Sequence, residues 1–78
     1  MPTVLRIGPY RFFFYSNEGT EPPHIHVEAG DFEAKFWLQP VALASNHGFG
    51  ARAIREIERH VNANREKLEE AGHGYIQH

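Results

Sequence analysis

The chain reads as an α+β domain: an antiparallel four-stranded meander followed by one long C-terminal helix packed on one face. Three observations predict it. Short stretches before residue 39 alternate apolar and polar residues with period two, as half-buried strands do. Gly-Pro, Pro-Pro and Ala-Gly punctuation separates them. The stretch after Gly50 switches to a helical stripe. With 78 residues and no linker or repeat, positions 1–78 form one small domain.

The first strand runs from Thr3 to Ile7, and Gly8-Pro9 turns the chain. Tyr10 to Ser16 is a dense aromatic strand, and 17–23 is a loop ending in Pro22-Pro23. His24 to Glu28 is the third strand, Ala29-Gly30 a tight turn, and Asp31 to Leu38 the fourth strand. Gln39 to Gly50 is expected to be irregular, with a helical turn after Pro40. The helix is expected over 51–71, with Ile54, Ile57, Val61 and Leu68 on its buried stripe and Gly72 as its stop.

Turn positions imply registers. A two-residue Ala29-Gly30 loop sets Val27 against Phe32 and Ile25 against Ala34, both core pairs. It sets His26 against Glu33 and His24 against Lys35 on the other face. At Gly8-Pro9 the same logic pairs Ile7 with Tyr10, Leu5 with Phe12 and Arg6 with Arg11. One sheet face is therefore apolar and takes the helix. The other carries Arg6, Arg11, Phe13, Tyr15, His24, His26, Glu33, Lys35 and Trp37. Aromatic and arginine side chains on a polar face point to a binding or dimer surface. The competing reading is that the 39–50 stretch folds over them.

Composition narrows the function classes. There is no cysteine, so disulfides and thiolate metal sites are excluded. The formal net charge of -2 provides no global attraction for nucleic acid, so an RNA partner would need a local basic patch. No apolar run approaches a membrane span, and the charged start is not read as a signal peptide, so a cytoplasmic protein with no membrane partner is expected. A chain this short has a thin core, which a homodimer or partner protein would extend.

His24-Ile25-His26 carries the candidate chemistry. Residues i and i+2 of a strand share a face, so the two imidazoles are neighbours. One reading is a divalent metal such as zinc, held by His24 and His26 with Glu33, Glu28 or His47 as third ligand. A second is a general acid–base pair, His24 and His26, with Lys35, Arg6 and Arg11 holding a phosphate for RNA or nucleotide chemistry. A third is a plain strand face. The His-Ile-His-Val run resembles part of the histidine-triad pattern, but its next alternate position is Glu28. On the helix, Arg52, Arg55 and Arg59 lie within about 60° of one another, pointing away from the sheet. They read as a solvated face with ion pairs. His60 borders the apolar stripe. Asn46-His47-Gly48-Phe49 leads into the helix, where Phe49 is expected to staple the helix start to the core.

Residues 1–8, Tyr10-Arg11-Phe12-Phe13-Phe14-Tyr15-Ser16-Asn17-Glu18, Glu21-Pro22-Pro23-His24-Ile25-His26-Val27, Ala34-Lys35-Phe36-Trp37-Leu38 and Asn46-His47-Gly48-Phe49 are distinctive. With the terminal helix they resemble domain-of-unknown-function family 4160, over roughly residues 1–70. The resemblance implies a small prokaryotic protein, often encoded beside a protein of domain-of-unknown-function family 2442 in a toxin–antitoxin-like operon. A protein-interaction role with that neighbour is therefore expected; a histidine-dependent enzyme or a metal-binding module is the alternative. The chain departs from the family at Gly50 and Ala53, where a Ser/Glu capping box is common, and in its tail from Gly72, which lacks the usual tryptophan.

Overall fold

The computed structural model describes residues 3–14 and 22–76, with the backbone alone for 72–76. Five strands form one antiparallel sheet in the order β1-β2-β3-β4-β5: β1 (Thr3–Ile7), β2 (Tyr10–Phe13), β3 (His24–Ala29), β4 (Phe32–Leu38) and β5 (Val41–His47). Two helices follow, α1 (Ala51–Ala63) and α2 (Arg65–Ile76). The α+β class and the antiparallel meander are as expected. The strand count and the single helix need correction.

β5 replaces the irregular stretch expected after Gln39. Its residues, Val41-Ala42-Leu43-Ala44-Ser45-Asn46-His47, are mostly poor strand formers. Pairing with β4 along its whole length overrides that preference, from Leu38 opposite Val41 to Glu33 opposite His47. Gln39 and Pro40 form the loop between them, with a cis peptide bond. The helix is also not continuous. At Asn64 the side-chain amide donates to the His60 carbonyl at 2.9 Å, and the backbone leaves the helical region at φ -115 and ψ 18. Asparagine competes in this way with the helix's own bonding. The Asn64 carbonyl then accepts from Leu68 N–H at 2.9 Å, restarting the helix. α2 continues through Gly72 to Ile76, so Gly72 is not the stop.

The Gly8-Pro9 register is as expected, with Ile7 opposite Tyr10, Arg6 opposite Arg11 and Leu5 opposite Phe12. The β3–β4 register differs. The loop is Gly30-Asp31, so Ala29 pairs with Phe32, Val27 with Ala34, Ile25 with Phe36, His26 with Lys35 and His24 with Trp37. Gly30 sits at φ +61 as the first loop residue, a conformation an alanine there would resist. The slip moves each partner by two positions. Because the side-chain period is also two, every residue keeps its expected face.

The apolar face packs under the helices as predicted. Phe12, Phe14, Ile25, Val27, Ala34, Phe36 and Leu38 meet Ile57, Val61 and Leu68 in one buried cluster. Phe49 joins it just before α1, with its ring edge-on to Tyr10 at 6.1 Å and to Phe32 at 5.6 Å. Asn46 holds the preceding turn: its Oδ1 accepts from Phe49 N–H at 3.1 Å and its Nδ2 donates to the Phe49 carbonyl at 2.8 Å. Gly50 is the N-cap and supplies no side-chain bond, as the missing capping box implied. Tyr10 ties the sheet to α1, donating its hydroxyl to Glu56 Oε1 at 2.6 Å. That bond, with burial and the Glu56 charge, raises the Tyr10 pKa above its ordinary value.

Candidate interaction face of the sheet

The face turned away from the helices is organised in rows across the strands. Nearest the Gly8-Pro9 and Gly30-Asp31 turns, a charged row runs Arg6, Arg11, Glu28, Glu33 and His47, one residue from each strand. The next row sets Phe13 beside His26 and His26 beside Lys35. Beyond it His24 lies beside Trp37. The bulge between Lys35 and Phe36 on the β4–β5 side shifts that ladder by one residue, yet Ser45 and His47 stay on this face.

The ring contacts follow from those rows. His26 stacks on Phe13 with centroids 5.6 Å apart and planes 25° apart. His24 stands edge-on to His26 at 5.2 Å and to Trp37 at 5.8 Å. Cations close both ends of the layer. The Arg11 guanidinium lies 4.4 Å from the Phe13 ring centroid, and Lys35 Nζ lies 4.8 Å from that of Trp37. Such contacts are worth about 0.5–1 kcal/mol each at exposed sites. The layer thus reads Arg11, Phe13, His26, His24, Trp37, Lys35 in unbroken contact.

Burial divides the face. Phe13, His24 and His26 are 2%, 1% and 7% exposed. Arg11, Glu33, Lys35 and Trp37 are half-buried and Arg6 is exposed. His24 Nδ1 lies 2.9 Å from the Pro22 carbonyl oxygen. A carbonyl can only accept, so Nδ1 carries the proton in that bond. His26 Nδ1 lies 3.7 Å from Glu33 Oε2, a diagonal neighbour rather than the directly opposed one first expected. Buried imidazoles packed edge and face against other rings act as plates in a layer.

The candidate site residues are therefore brought partly together. His24, His26, Lys35, Glu33, Phe13, Trp37 and Arg11 share one contiguous layer. Arg6 flanks it on the edge strand, and Tyr15 lies outside the described residues. His47 is on the expected face, but opposite Glu33 at the other edge of the sheet. Among the described residues no group of three or more His, Asp or Glu side chains is arranged to hold a metal ion.

One polar partner escaped the sequence reading. Glu28 accepts from Arg11 Nε at 2.9 Å and Nη2 at 2.7 Å, both on Oε1, while Arg11 Nη1 donates to Thr3 Oγ1 at 3.2 Å. Arg11 so ties β1, β2 and β3 together. Only the β2–β3 register reveals it, and the long connection between those strands hides that register from the sequence.

An antiparallel sheet with a helical layer on one face and a cation–aromatic layer on the other defines a small α+β protein. The chain belongs to the family described as Domain of unknown function (DUF4160), which matches residues 10–71. No curated protein and no solved structure matches the chain. No helix among the described residues is long and apolar enough to cross a membrane.

Proposed function

We propose that this chain is a protein-interaction component of a toxin–antitoxin-like pair, and that its cation–aromatic sheet face is the contact surface. The partner would be the family-2442 protein that the family resemblance implies as its genomic neighbour. The observation that carries the reading is the division of burial across the layer. Its imidazoles are packed away, while Arg11, Trp37 and Lys35 remain half-buried on a rigid floor. Tryptophan and arginine held rigid in this way are the side chains that dominate protein interfaces. They lose little conformational freedom on binding, because the rings below already hold them. Glu28, Glu33, Arg6 and His47 form a polar rim of mixed charge, suited to orienting a partner rather than to non-specific adhesion.

The same observation weighs against a histidine-dependent enzyme acting on RNA or nucleotides, since His24 and His26 have little surface for a substrate to reach. Co-expression of the two neighbouring genes tests the interaction. The chains are expected to co-purify, and Trp37→Ala combined with Lys35→Glu is expected to weaken the complex at least 30-fold, about 2 kcal/mol. Failure of the wild-type chains to co-purify at any ratio would refute the reading. Growth inhibition abolished by His24→Ala and His26→Ala in a folded protein would favour the enzyme instead.

A further inference from the structure

The second cationic surface lies on the other side of the molecule. Five of the eight Lys and Arg residues fall between positions 52 and 67: Arg52, Arg55, Arg59, Arg65 and Lys67. That span holds three carboxylates, Glu56, Glu58 and Glu66. It is thus net +2 in a chain whose overall charge is -2. Arg52, Arg55 and Arg59 are all exposed on α1. Among the described residues none of the three has an ion pair or hydrogen bond, although carboxylates are interleaved with them in sequence. The geometry explains why. Glu56 accepts the Tyr10 hydroxyl at the border of the sheet, and Glu58 is half-buried on the flank. Among the described residues the expected ion pairs of Arg52, Arg55 and Arg59 are absent, and the three share one exposed helix face.

Their spacing matters. At 1.5 Å rise per residue, Arg52 to Arg59 spans about 10 Å along the helix axis. One nucleic-acid strand rises about 3.4 Å per phosphate, so a similar length carries about three phosphates. The row ends at the α1–α2 break, where Asn62, Ala63, Asn64, Arg65, Glu66 and Lys67 line a polar hollow of about 520 Å³. Exposed Arg65 and Lys67 line the hollow beside Glu66, with Glu69 and Glu70 one turn further along α2.

We propose that the outer face of α1, from Arg52 to Arg59 and on to the Asn62–Lys67 hollow, binds the phosphodiester backbone of a nucleic acid. Arginine suits this role because its planar fork pairs with phosphate oxygens in bidentate fashion. Recognition is of the backbone, so it is electrostatic and indifferent to base sequence. The site is separate from the sheet face, since the helices lie between them.

Fluorescence anisotropy of the full chain with labelled 20-nucleotide single-stranded RNA, single-stranded DNA and duplex DNA tests the proposal and tells the sources apart. With three phosphates neutralised, affinity between 50 and 200 mM salt is expected to fall about 20-fold for a single strand and about 40-fold for a duplex. R52Q/R55Q/R59Q is expected to lose at least tenfold in affinity at 50 mM salt with an unchanged thermal melt. Should that variant melt early, the three single Gln variants replace it, each expected to lower the salt slope by about one. The proposal is overturned if no probe binds at 50 mM salt. It is equally overturned if the Gln variants bind like wild type, or if a labelled polyglutamate binds as tightly as the nucleic acids.

Discussion

Arg11 holds the Glu28 carboxylate through two nitrogens, Nε at 2.9 Å and Nη2 at 2.7 Å, directly across the β2–β3 ladder. The pair joins two strands whose connection in sequence is long. Glu28 also faces Glu33 across the next ladder, so Arg11 offsets a like-charge contact. The side chains are 22% and 39% exposed, and solvent screens the pair accordingly. A double-mutant cycle with Arg11→Ala and Glu28→Ala is expected to return a coupling of about 0.5–1 kcal/mol, most of it lost in 1 M salt. Arg11→Ala alone is expected to cost more than Glu28→Ala, because it also uncovers Phe13.

Tyr10 and Glu56 connect the sheet to α1, and their bond predicts an alkaline limit. The folded state raises the Tyr10 pKa, so it holds the phenol proton more tightly than the unfolded chain does. This contribution is fully present below the unfolded value of 10.0 and is lost as pH rises through the folded one. Urea unfolding followed from pH 8 to 11 is expected to show stability falling above about pH 10. Tyr10→Phe is expected to lower stability by about 1 kcal/mol at pH 8 and to flatten that alkaline decline.

His24 and His47 separate the structural and surface readings of the histidines. His24 is enclosed, with rings on two sides and a carbonyl partner, whereas His47 is exposed on the edge strand. His24→Ala is expected to cost about 2–3 kcal/mol in denaturant unfolding, from a cavity and a lost hydrogen bond. His47→Ala is expected to stay within about 0.5 kcal/mol. Equal and negligible effects would contradict a packed layer.

Gly48 and Gly50 lie two residues apart and call for opposite substitutions. Gly48 adopts φ +110, and a Cβ there would sit 2.4 Å from the Phe32 ring. Gly48→Ala is expected to lower stability by at least about 1 kcal/mol. Gly50 is extended, with open space around its Cα, at a helix start that lacks a side-chain cap. Gly50→Asp is expected to add a few tenths of a kcal/mol, more at low ionic strength, through capping and the helix dipole. Paired thermal melts of the two variants check both signs.

Period-two alternation in Thr3–Ile7, His24–Ala29 and Phe32–Leu38 was enough to sort residues onto two sheet faces. It survived a two-residue error in the β3–β4 register, because a slip of two leaves faces unchanged. The stripe Ile57, Val61 and Leu68 was equally legible, being written in local spacing. So was the sheet face that His24, His26, Lys35 and Trp37 share.

What the sequence could not hold was anything that depends on a distant partner. β5 exists because β4 offers it a ladder, against the preference of its own residues. The Arg11–Glu28 clasp requires a register that crosses a long connection. The burial of His24 and His26 requires Phe13 and Trp37 to arrive from neighbouring strands. Local pattern therefore determined which side of the sheet each residue occupies. Tertiary pairing alone decided that the histidines lie within a packed layer, because burial is set by neighbours that the chain's local order does not specify.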